Sequence, residues 1–472
     1  MKVNELLTLE VSDLALGGQA VARHDGFVVF VDRGLPGDRL TARVTRTRRG
    51  WAEARLESIE RPSPERVPAP CPHFGPCGGC RLQDLDYAAQ CRIKHRQVVE
   101  TLTRIGGIQH PRVRALGPAP ETFGYRNKME FSFHPGAAPG TAGAGAAPVL
   151  GLHERGGYDR VFALERCLLP SALTVEIVRA TQRFAAEHAW RAYHPARHEG
   201  VVRFLVVRHL PHTDQCAVGL VAASDEIPGL AEWARAIAAL APAVRSVTLG
   251  LNRSRANVAF AEEERVLRGE RAIVERLLGL EFEATAASFL QTNSRQAEAL
   301  YREALAAAGL TGGETVLDLY SGAGTLSLVL ARAAAEVVGV ESVPDAVAAA
   351  RRNAARNQLA NARFVEGEAR RVLREWARGE RPGRPRPQVV VVDPPRAGLH
   401  PRVVARVIEL EPRRVVYVSC NPGTLARDLK DFAAGGYPPA RVTPFDLFPH
   451  TPHIECVARL DRAGAAGDLP PA

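Results

Sequence analysis

The chain has 472 residues, of which 46% are hydrophobic and 24% charged. These values match soluble globular domains, and the length exceeds one ordinary core, so two or three units are expected and a fibrous or membrane protein is excluded. The net charge of +9 favours polyanionic partners, although nearly all cations are Arg, a bias that GC-rich coding alone can produce.

Met1-Lys2-Val3-Asn4-Glu5 lacks the basic, apolar and small-residue segments of a secretory signal, so a cytoplasmic protein with no membrane partner is expected. Residues 5–60 alternate apolar and polar positions in short runs broken by Gly17-Gly18, Asp25-Gly26 and Pro36-Gly37-Asp38, the spacing of a small β-barrel. Arg43, Arg46, Arg48 and Arg49 beside Trp51 would give it a basic, partly aromatic face; a solvated charged edge strand is the alternative. A Pro-rich linker from Arg61 to Pro70 leads into Cys71, Cys77 and Cys80, a cluster that in a reducing compartment points to metal ligation.

From about 121 to 285, strands at 129–133, 201–207, 216–221 and 244–250 mix with helices near 172–188 and 229–240, an α+β pattern. The Gly/Ala/Pro-rich stretch 134–148 reads as a flexible hairpin loop. From about 286 the rhythm becomes α/β, with apolar strands at 315–319, 336–340, 362–365, 388–392 and 414–418, as in a parallel sheet covered on both faces. The domain plan is therefore a barrel over 1–62, a central α+β domain over 63–285, an α/β domain over 286–465 and a disordered tail over 466–472.

Four features of the last domain carry chemistry. The strand Val316-Leu317-Asp318-Leu319 runs into Tyr320-Ser321-Gly322-Ala323-Gly324-Thr325, and Glu341 ends the next strand, where a carboxylate can hold ribose hydroxyls. The turn has G-x-G without a third glycine, which favours S-adenosylmethionine over a dinucleotide. Asp393-Pro394-Pro395-Arg396 ends the fourth strand, with prolines that stop ladder pairing; as a bland alternative, Asp-Pro is simply a turn former. Arg396, where methylation of an exocyclic amine would call for an aromatic residue, argues against that reaction.

Ser419-Cys420-Asn421-Pro422 ends the fifth strand at the same sheet edge. Most single cysteines are buried small hydrophobes, but this position suits a thiol beside a methyl donor. In His453-Ile454-Glu455-Cys456-Val457, an acid among apolar neighbours should have a raised pKa suited to proton abstraction; a solvated, inert Glu is the alternative.

Taken together, these motifs resemble the RNA uracil-5-methyltransferase family, specifically its TRAM-containing, iron–sulfur 23S ribosomal RNA members. The resemblance spans nearly the whole chain and includes Tyr125-Arg126-Asn127-Lys128-Met129 and Phe289-Leu290-Gln291-Thr292-Asn293. It implies a doubly wound, Rossmann-like class I methyltransferase domain, an OB-like TRAM barrel and a central domain carrying an iron–sulfur cluster. Gln291, Tyr320, Gly322, Gly324, Thr325, Glu341, Glu368 and Asp393 would contact S-adenosylmethionine. Cys420 would be the nucleophile and Glu455 the general base, with Asp393 assisting. Thr325 stands where the family usually has Asn, and Ser321 where Cys is frequent.

The resemblance also makes Cys71, Cys77, Cys80 and Cys167 ligands of one [4Fe–4S] cluster; spacing alone admits zinc, and admits Cys91 in place of Cys167. It implies an RNA partner, 23S ribosomal RNA ahead of transfer RNA, and a monomer. The rival readings are a methyltransferase acting on another nucleic-acid atom and a non-catalytic RNA-binding factor.

Overall fold

The computed structural model describes residues 1–136, 147–157, 159–378 and 386–464. Five strands, β1 (Leu6–Leu14), β2 (Ala20–His24), β3 (Phe27–Val31), β4 (Arg39–Arg48) and β5 (Trp51–Arg61), close into a barrel of order β1-β2-β3-β5-β4. Its core follows from strict alternation: Leu7, Leu9 and Val11 point inward while Leu6, Thr8 and Glu10 face out. Closure removes the edge-strand alternative for the arginine run. The run is also only partly free, since Arg43 pairs with Glu57 at 2.8 Å and Arg46 with Glu53 at 3.8 Å, leaving Arg48 and Arg49 exposed beside Trp51.

Buried Asp38 joins barrel to linker, accepting from the backbone N–H of Leu35 at 2.6 Å and of Ser63 at 2.7 Å and pairing with Arg66. Next comes α1 (Tyr87–Arg104), capped by Asp86, whose side chain accepts from Ala89 N–H. Its residues Val98 and Leu102 are buried with Leu425 and Leu429, so α1, which the sequence reading placed in the second unit, packs on the third.

The central sheet holds β6 (Lys128–His134), β7 (Val149–His153), β8 (Val161–Ala163), β9 (Val202–Leu210), β10 (Gln215–Ala222), β11 (Val244–Leu251) and β12 (Glu263–Gly269). Its order is β12-β11-β10-β9-β6-β7-β8. β6 and β7 pair antiparallel as the expected hairpin; most of the intervening Gly/Ala/Pro stretch, residues 137–146, lies outside the described residues, as does the tail from 465. Helices α2 (Ala172–Glu187) and α3 (Leu230–Ala238) bury Ile177, Val178, Trp233 and Ile237 against one face. A hairpin, β13 (Ile273–Leu277) and β14 (Leu280–Ala284), leads to the last unit.

There α4 (Ser294–Ala308) precedes β15 (Thr315–Leu319), α5 (Thr325–Ala331), β16 (Glu336–Glu341), α6 (Pro344–Arg356), β17 (Ala362–Glu366) and α7 (Ala369–Ala377). Then follow β18 (Val389–Val392), α8 (Pro401–Glu409), β19 (Arg414–Ser419), α9 (Pro422–Ala434), β20 (Pro439–Phe445) and β21 (Glu455–Asp461). The sheet order is β17-β16-β15-β18-β19-β21-β20, parallel as far as β19 and antiparallel beyond. The four valines of β18 show why the run is uniformly apolar: Val389 and Val391 enter one core layer, Val390 and Val392 the other. Among the described residues, no helix is long and apolar enough to cross a membrane.

Candidate active site

The carboxyl ends of β15, β16, β18 and β19 open onto one cavity of about 1450 Å³. At the end of β15 the chain turns through Tyr320, at φ +65°, and Gly322, at φ +54°, where an added Cβ would meet nothing within 4 Å, so this turn leaves open space for a ligand. Gly324, at φ +84°, does a different job: a Cβ there would lie 2.8 Å from the Phe364 ring, so it permits close helix packing and does not line the cavity.

Glu341 at the end of β16 braces the turn. One carboxylate oxygen accepts from Gly322 N–H at 3.0 Å, the other from the N–H groups of Ser342 at 2.7 Å and Val343 at 2.9 Å. Glu368 stands at the start of α7, without a side-chain capping bond and outside the cavity lining, although its charge still reaches Tyr320. Gln291, Tyr320, Gly322, Thr325, Glu341, Asp393, Cys420 and Glu455 all line the cavity.

Two motifs far apart in sequence hold the Gln291 segment. Asn127 Nδ2 donates to Gln291 O at 2.9 Å and to Ser294 Oγ at 2.8 Å, while its N–H reaches Thr292 O at 2.7 Å. Asn293 caps α4 by accepting from Gln296 N–H, and its Nδ2 donates to Leu447 O at 3.0 Å. Asn421 does the same for the thiol loop, capping α9 through Gly423 N–H at 3.0 Å and donating to Arg396 O at 3.1 Å.

Electrostatically the cavity concentrates acids. Burial pushes the Asp393 carboxyl up to about 7, and Glu455 well above the carboxylate range, helped by Asp393 and opposed by Arg396. Burial, with Glu455 and Asp393, raises the Cys420 thiol to about 11, again opposed by Arg396. Among the lining residues that sequence reasoning did not assign, three stand close to the chemistry. Asp318, raised to about 7 by burial and hydrogen-bonded by Ser327 Oγ, was visible as one acid in an apolar strand. Arg396 is the cation reaching both Cys420 and Glu455. His453 is lowered to about 4, chiefly by burial.

The four cysteines named as cluster ligands are free thiols. As thiolates, Cys71, Cys77 and Cys167 would each raise Cys80 further, and Cys71 and Cys77 would raise Cys167. Burial raises Cys80 to about 12 and Cys167 to about 11, in a pocket with Tyr125, Leu169, Phe74 and Phe123. Cys91 lies apart, on α1 with Tyr87 and Asp446 as neighbours. Among the described residues, no group of three or more His, Cys, Asp or Glu side chains is placed so as to hold a metal ion. Cys80 and Cys167 belong to that apolar pocket, whereas Cys71 and Cys77 lie outside it.

A sheet of this order, with a glycine turn after β15, an acid ending β16 and the ends of β18 and β19 facing the same crevice, defines a class I methyltransferase domain behind an N-terminal barrel. The tRNA (Uracil-5-)-methyltransferase family matches residues 230–463 and the TRAM domain family residues 1–56. Among relatives, an uncharacterized RNA methyltransferase of Halalkalibacterium halodurans is 38% identical, with 97% of each chain covered. One of Nitratidesulfovibrio vulgaris is 41% identical, with 96% of this chain and 95% of the relative covered. The crystal structure of the Pyrococcus abyssi tRNA (uracil-54, C5)-methyltransferase with S-adenosyl-L-homocysteine is similar at a TM-score of 0.76 and 30% identity, covering 96% of this chain and 100% of that one. The chain belongs to the RNA uracil-5-methyltransferase family, and its barrel is a TRAM domain.

Proposed function

We propose that this enzyme transfers a methyl group from S-adenosylmethionine to carbon 5 of a uridine in structured RNA through a covalent Cys420 adduct. The observation that carries this reading is the convergence of Cys420, Glu455 and Asp393 with the glycine turn in one cavity. The Pyrococcus relative, solved with S-adenosyl-L-homocysteine, supports the cofactor. Gln291, Tyr320, Glu341 and Asp393 would hold it, Thr325 would line its turn, and Glu368 would act from outside the lining. When bound, the cofactor supplies an electrophilic methyl group on a sulfonium.

Carbon 5 of uracil is a weak nucleophile, and the chain's own groups must activate it. Cys420 Sγ, as thiolate, bonds to carbon 6, and the displaced π electrons make carbon 5 an enolate carbon that takes the methyl. Arg396 offsets the acids that hold the thiol protonated. Glu455 then takes the carbon-5 proton; the electrons of that C–H bond restore the double bond as Sγ leaves. Burial makes Glu455 basic enough for this. Such chemistry needs the uridine unstacked in a loop or flipped into the cavity.

In the same reading, Cys71, Cys77, Cys80 and Cys167 hold a [4Fe–4S] cluster that clamps the segment after the linker to the central domain. The enzyme acts as a cytoplasmic monomer. Ribosomal RNA is proposed as substrate ahead of transfer RNA. Mapping 5-methyluridine in both RNA pools of a strain lacking the gene tests this: loss from 23S ribosomal RNA is expected, and an unchanged map in both pools contradicts the function.

A further inference from the structure

The cavity that holds Cys420 extends to the face of the central sheet not covered by α2 and α3, where Gly219 on β10 and Gly250 on β11 line it. At this wall Phe260 is 63% exposed. A lone exposed ring would mean little. What distinguishes this one is the support built beneath its loop.

Arg203 on β9 is buried and forms no ion pair among the described residues; its guanidinium is spent on the loop instead. Nη1 donates to Asn252 O at 2.8 Å and Ser254 O at 2.9 Å, Nη2 to Ala256 O at 2.6 Å, and the group stacks 4.2 Å over the Tyr193 ring. Asn252 closes the loop on itself, donating to Val258 O at 3.1 Å and accepting from Ser254 N–H at 3.0 Å. Burying an arginine is costly, and although Nε of Arg203 has no hydrogen-bond partner among the described residues, its terminal nitrogens bind three carbonyls of the loop and so fix a segment whose last large side chain lines the cavity. Rigidity lowers the entropic cost of binding there.

The charges indicate which part of a ligand meets the ring. Arg255, outside the lining, and Arg271, within it, are exposed without ion pairs among the described residues, and Glu262 and Glu264 line the same wall. Phosphates are favoured beside the two cations and disfavoured beside Glu262 and Glu264, two and four residues from Phe260, which leaves an uncharged, flat group for the ring. We infer that the 252–261 loop is a stacking platform for a nucleobase flanking the target uridine, with Phe260 as its face. This rests on the RNA-methylation reading and adds a contact separate from the pocket of the reacting base.

The test uses the full chain as wild type, Phe260→Ala and Phe260→Trp, titrated with fluorescein-labelled oligouridylate of about a dozen nucleotides, a length within the site sizes of single-strand binders. Phe260→Ala is expected to raise Kd about tenfold, while Phe260→Trp keeps near-wild-type affinity and shows tryptophan quenching, above the wild-type signal, at saturation. A Phe260→Ala Kd within about twofold of wild type, or unchanged emission from Phe260→Trp, overturns the platform. Methylation of bulk RNA by wild type is scored in parallel. If it fails while the binding contrast holds, the methylation reading falls and the platform stands; if it succeeds without the contrast, the reverse is true.

Discussion

Lys94 on α1 donates from Nζ to Asp446 Oδ1 at 2.8 Å, and both side chains are buried, 1% and 0% exposed. The pair anchors the 446–453 segment, which leads into Glu455. Gln90, one turn earlier, exchanges hydrogen bonds with His450, and the N–H groups of Arg81 and Leu82, just after Cys80, both donate to His450 O. Tyr125 Oη reaches Pro449 O at 3.1 Å. The segment bearing the proposed base is therefore held by the same stretch of chain that carries three of the clustered cysteines.

Removing one partner of a buried pair strands the other charge. Lys94→Met is expected to destabilise the protein by about 3–5 kcal/mol in urea unfolding, and Lys94→Met with Asp446→Leu to recover most of that loss. Equal losses in the single and double variants contradict the pairing argument.

Glu455→Gln leaves the attack by Cys420 possible and removes the group that takes the carbon-5 proton. The methylated adduct should accumulate as a slow-migrating species on denaturing gels, with kcat down ~10²–10⁴-fold. Wild-type turnover without trapped adduct rules out the assigned role.

Asp393 supplies a stability test with a definite sign. Its carboxyl lies near 7 when folded, against 3.8 for the ordinary group, so the folded state binds the extra proton. The favourable contribution is complete below about pH 4 and is lost as pH rises towards 7, with a slope of about 1.4 kcal/mol for each pH unit crossed. Relative to wild type, Asp393→Asn should gain stability across that window in the ligand-free protein. A difference independent of pH contradicts the buried, protonated carboxyl.

Protein purified anaerobically should contain about four iron and four sulfide per chain and lose both in Cys167→Ser, while Cys91→Ser retains them. Stoichiometric zinc in place of iron contradicts the cluster.

Much of this architecture was legible locally. Valines 389–392, the turn at Gly322 and the thiol at a strand end carry their meaning within a few residues, because alternation, strand length and turn chemistry are local properties. The Asn127–Gln291 bond was not legible, since it joins residues 164 apart and no local pattern encodes it. For the same reason no local pattern places α1 against α9. The acids' proximity in space, which adds to burial in raising the Cys420 thiol, likewise emerges only when β18, β19 and β21 lie side by side. Gly324 was legible as a special residue, but only the Phe364 ring beneath it shows that it serves packing.

The most direct measurement traps the reaction with 5-fluorouridine RNA and S-adenosylmethionine, since fluorine at carbon 5 cannot be removed by Glu455. Mass spectrometry of the digested complex should find the methylated fluorouridine on the peptide containing Cys420, and Cys420→Ala should yield neither adduct nor 5-methyluridine from ordinary RNA. A Cys420→Ala enzyme that methylates uridine at the wild-type rate would contradict the account.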